Sequence, residues 1–315
     1  MKKTVLIASS LFILFVIIGV MGGGRTVYNA SDFGVLPENS GDINSRNLQT
    51  LINKVSARGG VIYIPEGEYR FCKGGTQMIG DHCIKMRSNV TIRGAGGKTV
   101  LMPQGDSQYG LDMFYFNEYL DTGRPIYLEN CTFESFVIDA SQTSCAVYTS
   151  AGKGFMLNLI RDCHWKNVTV RDTDATGFGV DCPLNCSITD CAAIRCGKAA
   201  SEIDPGASGF GIGYGFTDGE TMTISDCVSF HNKKFGFFFE HQGRFDPERY
   251  DLSNQGRFLV YNCTARENLY NFGGICAKNV TYHGCNCANA GNLEVYFEDC
   301  ENCNYNGKGL EDYAQ

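Results

Sequence analysis

Asp181, Lys234, Glu240 and His241 are residue types that carry protons or offset charge. A carboxylate serves as a base and a protonated carboxyl as an acid, while histidine titrates closest to neutrality. Tyr214 adds a hydroxyl and Phe238 a flat apolar face suited to a sugar ring. Arg244 and Arg249, in the stretch 241–257, are forked donors that match carboxylates, but Asp246, Glu248 and Asp251 beside them fit surface ion pairs as well. Each residue also has an ordinary reading. Asp181 suits a turn, Glu240 and His241 the end of a strand, Lys234 a solvated surface and Tyr214 a core. The chemistry therefore depends on whether the fold gathers them.

Two recurring patterns say how it would. The first reads apolar-x-apolar-x-(Asp/Asn)-Cys. It occurs at Leu128-Asn130-Cys131, Ile188-Asp190-Cys191, Ile224-Asp226-Cys227, Val260-Asn262-Cys263 and Phe297-Asp299-Cys300, with a weaker copy at Ile160-Asp162-Cys163. Alternation at period two is a strand signal. Its return every 28 to 37 residues is a solenoid signal, one strand per coil over six or seven coils. The fold class is thus all-β, a single-stranded parallel β-helix, and the cysteines are expected to stack inside it mostly as free thiols.

The second pattern is Phe178-Gly179-Val180-Asp181, Phe210-Gly211-Ile212-Gly213, Phe235-Gly236-Phe237-Phe238 and Phe272-Gly273-Gly274-Ile275. With the first Phe of each copy inward, Phe178, Phe210, Phe235 and Phe272 form a core ladder. Asp181, Gly213, Phe238, Glu240 and Ile275 then face outward. Loops at 197–208 and 241–257 would wall a groove over them. By this count Asp181 and Glu240 lie two coils apart, about 10 Å, which is marginal for inverting glycoside hydrolysis.

The ends are different. Lys2 and Lys3 precede an apolar run from Val5 to Met21, so residues 1–24 read as a signal peptide or a retained membrane anchor. The chain is then secreted or held at the cell surface, touching membrane only through that segment. The main domain is expected over 25–303, opening with a capping helix at about 44–58. That helix has Asn44 or Ser45 at its start and Leu48, Leu51, Ile52 and Val55 on one face. The tail 304–315 is short and polar, so oligomerisation through the C-terminal end is one expectation. Cys72 and Cys83 bracket a short loop and are the best disulfide candidates. Cys182, Cys186, Cys191 and Cys196 are too scattered for zinc. No metal is assigned, although Asp172, Asp174 and Asp181 offer oxygen ligands for calcium. In 315 residues, 34 acids against 27 bases leave a net charge of -7, which argues against nucleic acid as a partner. With 43% hydrophobic residues the chain is not disordered.

Asp32-Phe33-Gly34, Gly59-Gly60, Pro65, Gly67 and Tyr69, followed by Ser88-Asn89-Val90-Thr91-Ile92-Arg93-Gly94, resemble the opening of the pectate-lyase-like right-handed parallel β-helix superfamily. Residues 27–285 are most similar there to the catalytic module of mannuronan (alginate) C5-epimerases. The resemblance implies a right-handed coil and an acidic, uronate-containing polysaccharide as partner. Phe178-Gly179-Val180-Asp181-Cys182-Pro183 falls on the family motif Tyr-Gly-Phe-Asp-Pro-His and keeps its aspartate, but not its catalytic tyrosine or histidine. The family's second aspartate falls on Gly213, and Lys234 matches a basic residue of the following coil. The expected function is an exported carbohydrate-active protein working by C5-epimerase or lyase chemistry. The catalytic candidates are Asp181, Glu240 and His241, and the substrate-binding candidates are Phe238, Lys234, Tyr214, Arg244 and Arg249. The alternatives are a glycan-binding adhesion β-helix or a structural surface component.

Overall fold

The computed structural model describes residues 25–312, so the N-terminal segment lies outside the described residues. The chain winds as a parallel β-helix. One ten-stranded sheet, here the site sheet, runs the length of the solenoid, and a 17-stranded sheet wraps the remaining sides. Among the described residues every strand pair is parallel apart from the antiparallel hairpin of Gly75–Gln77 with Gly80–Lys85. The site sheet carries one strand from each of eight coils, ending with Phe178–Leu184, Phe210–Tyr214, Phe235–His241, Tyr270–Ile275 and Leu293–Glu298. The sequence spacing suggests six or seven. The difference arises because coils vary in length. Some hydrogen-bonded neighbours in adjacent coils are 36 residues apart and others only 23.

A column of phenylalanines fills the interior. Phe114, Phe155, Phe178, Phe210, Phe237 and Phe272 stack with centroids 4.7–5.4 Å apart and near-parallel rings. Phe237, not Phe235, holds the third of the expected rungs, because Phe210 pairs with Phe237 and Phe237 with Phe272. Phe235 pairs with Tyr270 and stacks on Phe238 at 4.4 Å on the outer side.

The cysteines form two columns rather than one. Cys131, Cys163 and Cys186 precede paired strand residues and stack in one. Cys191, Cys227, Cys263 and Cys285 stack in another, five residues further along. Cys300 belongs to neither. It follows the site-sheet strand Leu293–Glu298 and contacts Cys303. The Asn or Asp before six of these column cysteines has a backbone reason. Asn130, Asp162, Asn185, Asp190, Asp226 and Asn262 all take positive φ of 52–57°, and short polar side chains tolerate that left-handed bend best. All sixteen cysteines are free thiols, so the expected Cys72–Cys83 bridge is absent. Cys83 is buried in the wall, while the Cys72 sulfur turns toward the helix at Gly41 and accepts from Gln104 at 3.7 Å.

The helix spans Gly41–Ser56 and buries Leu48, Leu51, Ile52 and Val55 across the first coil. It starts ahead of Asn44, with Ser40 at the cap position. Asn44 and Ser45 are pins instead. Asn44 bridges Leu36 and Arg70 carbonyls, and Ser45 Oγ donates to Cys72 O and accepts from Cys72 N. Their burial leaves no donor or acceptor unpaired.

Candidate active site

The outer face of the site sheet presents two columns in register. One reads Met156, Gly179, Gly211, Phe238, Gly273 and Tyr296, and the other Asn158, Asp181, Gly213, Glu240, Ile275 and Glu298. Asp181 and Glu240 therefore share a column with only Gly213 between them. Glycine is required there. A Cβ on residue 213 would collide with Asp181 Oδ1 and Gln242 Nε2, which occupy its place. Gln242 Nε2 also donates to Glu240 Oε1 at 3.1 Å, so the amide stands between the two acids. Gly179 performs the same service for Lys153. The lysine chain lies across it, and a Cβ there would come within 2.6 Å of Lys153 Cδ and 3.2 Å of Nζ.

These contacts set the charge states. Burial and then the charge of Asp181 raise the Glu240 pKa to about 7, against the pull of Lys153, Gln242 and Lys234. Asp181 is also raised by burial, opposed by Lys153, the Gly213 N–H and Asn158. Glu240 is thus partly protonated near neutrality, with burial and then the charge of Asp181 as the causes. Two neighbouring carboxyl groups, one of them raised to about 7, have the chemistry of an acid–base pair. Lys234 is lowered by burial and donates to Asp204 O at 3.1 Å, tying the 197–208 loop to the floor.

Both loops wall the groove. An inner chamber of about 40 Å³ lies among Lys153, Asp181, Gly213, Ser208, Phe238 and Glu240, enough for a carboxylate or a few waters. Next to it, sharing Gly206, Phe238 and Glu240, lies an outer chamber of about 230 Å³ bounded by Ile203, Lys234, Phe238, Arg244 and Phe245. Arg244 contributes a wall but is paired with Glu298 at 2.8 Å.

Three other sequence candidates fall away from this groove. His241 continues the inward alternation of Phe237 and Phe239 and is fully buried. Its Nδ1 accepts from Gly243 N at 3.1 Å and its Nε2 donates to Asn254 O at 3.3 Å, while burial lowers its pKa. It is a neutral structural imidazole. Tyr214 pairs with His241 in the ladder and is buried too, its hydroxyl accepting from Lys278 N. Arg249 pairs with Asp246 at 3.3 Å and lies 5.0 Å from the Tyr119 ring, outside the chambers. The suggested calcium trio is dispersed as well. Asp172 is held by Arg195 at 2.7 Å and Asp174 by Lys198 at 3.4 Å. Among the described residues no three His, Cys, Asp or Glu side chains converge on a metal position.

Lys153, Asn158 and Gln242 are the residues beside the acid pair that sequence reasoning missed. Lys153 lies just ahead of its strand, and its neighbours in the groove are 28 and 87 residues away in the chain. The Gly-Lys-Gly at 152–154 is its one local signal.

Residues 27–293 match the rhamnogalacturonase A/epimerase, pectate lyase-like family. The chain belongs to this family. Among curated proteins, mannuronan C5-epimerase AlgE5 of Azotobacter vinelandii is 39% identical over 75 residues, 24% of this chain and 7% of that protein. AlgE1 of the same organism is 41% identical over 76 residues, again 24% of this chain and 5% of that one. This chain thus matches only a small part of the length of these relatives. Among solved structures, the A-module of AlgE4 superimposes with a TM-score of 0.62 at 20% identity, over 88% of this chain and 75% of that one. A tailspike protein of E. coli bacteriophage HK620 in complex with a pentasaccharide gives 0.61 at 15% identity, over 87% and 47%. At these identities the structures establish the right-handed parallel β-helix.

Proposed function

We propose that this chain is an exported polysaccharide-modifying enzyme that acts at C5 of a uronate residue. The observation that carries this reading is the Asp181–Glu240 pair beside Lys153 in a walled groove. In this scheme the sugar carboxylate enters the inner chamber and Lys153 offsets its charge. Asp181 takes the C5 proton, and the electron pair moves toward the carboxylate. Glu240 then gives its proton to the leaving O4 as the C4–O4 bond breaks and a C4=C5 double bond forms. Both carboxyl groups rise from one sheet and reach the ring from one side. That arrangement favours elimination over epimerisation, which returns a proton to the opposite face. Phe238 offers the ring an apolar floor.

Incubation with alginate, pectate and other polyuronates tests the reading. Elimination adds absorbance near 235 nm from unsaturated ends, and epimerisation changes the NMR signals of C5 without chain cleavage. Asp181→Asn is expected to cost about 10²- to 10⁴-fold in turnover. New reducing ends without unsaturation would instead point to hydrolysis by the same acid pair. Binding without turnover, insensitive to Asp181→Asn, would make the protein a glycan-binding β-helix. The export half of the proposal rests on Lys2, Lys3 and the apolar run that follows, and recovery of the chain solely inside the producing cell would refute it.

A further inference from the structure

The outer chamber is chemically unlike the inner one. Beside the acid pair it is lined by Ile203, Pro205, Phe235, Phe238, Phe245 and Ile275. Aromatic rings commonly meet the CH face of a sugar, but two isoleucines and a proline offer nothing to hydroxyl groups. They are surfaces for methyl groups. Ile203 and Phe245 stand on opposite loops and are 90% and 63% exposed, large values for apolar side chains that face one cavity.

These loop tips are held in place. Lys198 ties one foot of the first loop to Thr143 Oγ1 at 3.2 Å and to Asp174 at 3.4 Å. Tyr148 donates to Pro205 O at 2.7 Å, and Lys234 grips Asp204 O at 3.1 Å. On the second loop, Arg244 is fastened to Glu298 and its guanidinium lies 5.7 Å from the Phe245 ring. The apolar rim is therefore preorganised, which spares a ligand the cost of ordering it. Lys234 puts positive charge on the same chamber, and Arg244, paired with Glu298, lines it too; an anionic chain can share these donors beside Glu240, which a neutral lipid or an apolar peptide cannot.

We propose that the outer chamber is a subsite for a uronan chain bearing a small ester, with the ester methyl lodged between Ile203 and Phe245. This rests on the C5 reading above and deepens it by naming the substrate class. Two sources share the chemistry, an O-acetyl group on a sugar hydroxyl and a methyl ester on a sugar carboxyl. The first keeps the anionic charge that Lys234 and Arg244 face, and is the form expected to bind better.

The test uses three preparations of one uronic acid oligomer: O-acetylated, methyl-esterified and fully saponified. Calorimetric titration of the full chain with each is expected to give roughly tenfold tighter binding of the acetylated form than of the saponified one, the discrimination one buried methyl typically provides. Ile203→Ser and Phe245→Ser, both at exposed positions that do not endanger folding, should each reduce that ratio to about twofold. Equal affinity for acetylated and saponified oligomers, with turnover of either, overturns this proposal and leaves the C5 reading standing. A preference for the methyl ester alone overturns the O-acetyl assignment. Acetyl-selective binding without turnover of any form overturns the C5 reading while leaving the subsite. Failure of all three forms to bind overturns both.

Discussion

Asp181 reaches over Gly213 toward Glu240, and the amide of Gln242 fills the remaining space between the two acids. The missing side chain at 213 is what allows two carboxyl groups from alternate strands to feel each other, since their backbones stand two strand spacings apart, about 10 Å.

Gly213→Ala should therefore disable the site without disturbing the coil. A methyl group there would displace Asp181 and Gln242, while the strand retains its register. We expect turnover or ligand affinity to fall at least about tenfold, with the midpoint of thermal unfolding moved by only a few degrees. An unaltered affinity and turnover would show that the acid pair does not depend on this contact.

The Glu240 carboxyl makes stability pH-dependent. Its pKa is 4.5 in an unfolded reference and about 7 in the fold, so the folded chain binds the extra proton between those values. Stability then falls as pH rises from about 4.5 through about 7, by an order of 1–3 kcal/mol after allowing for partial exposure. Glu220 adds a slope of the same sign. It is buried, accepts from Gly215 N and Thr217 N, and is likewise raised to about 7. Urea unfolding at pH 5 and pH 8 should show that Glu240→Gln removes part of the loss and the double variant with Glu220→Gln more of it.

Lys153 is the cation facing both acids. Lys153→Met should raise the pH at which Glu240 loses its proton and weaken binding of an anionic oligomer, with Lys153→Arg intermediate. Carboxyl ¹³C NMR titration reads the first effect and calorimetry the second. A Glu240 titration unmoved by Lys153→Met would remove the lysine from the site.

His241 carries the opposite expectation. Its hydrogen bonds to Gly243 and Asn254 hold the turn into the second loop. His241→Ala should lower stability by about 1–3 kcal/mol through the unpaired groups it leaves. The positions of the limbs in any pH–rate profile should remain where they are. A lost limb would restore the histidine to catalysis.

Cys72 and Cys83 should both react with a thiol reagent once the chain is unfolded, bringing the count to sixteen. A count of fourteen would place a bridge between two of the thiols in the native protein.

Much of the solenoid was legible because its signals are local. Alternation identified the strands, and the recurring Asn or Asp before a cysteine marked the repeat of the coil. The outward parity of Asp181, Gly213, Phe238, Glu240 and Ile275 followed from the period of two alone. Vertical alignment was harder, because coils of unequal length pass through the same register. That is why Phe235 gave way to Phe237 in the inner stack, why one cysteine column became two, and why eight coils replaced six or seven.

By itself the amino-acid order determined the strand period, the inward and outward faces and the acids available to the groove, since each depends on residues a few positions apart. The tertiary structure alone decided which of them meet. Lys153, Asp181 and Gln242 come from different turns of the coil and become neighbours only when the turns stack. His241 stands one residue beyond Glu240 and so turns inward behind Phe237 and Phe239, and the coils stacked around it bury it completely. Proton affinity follows burial and nearby charge, and those exist only once the coils have closed on one another.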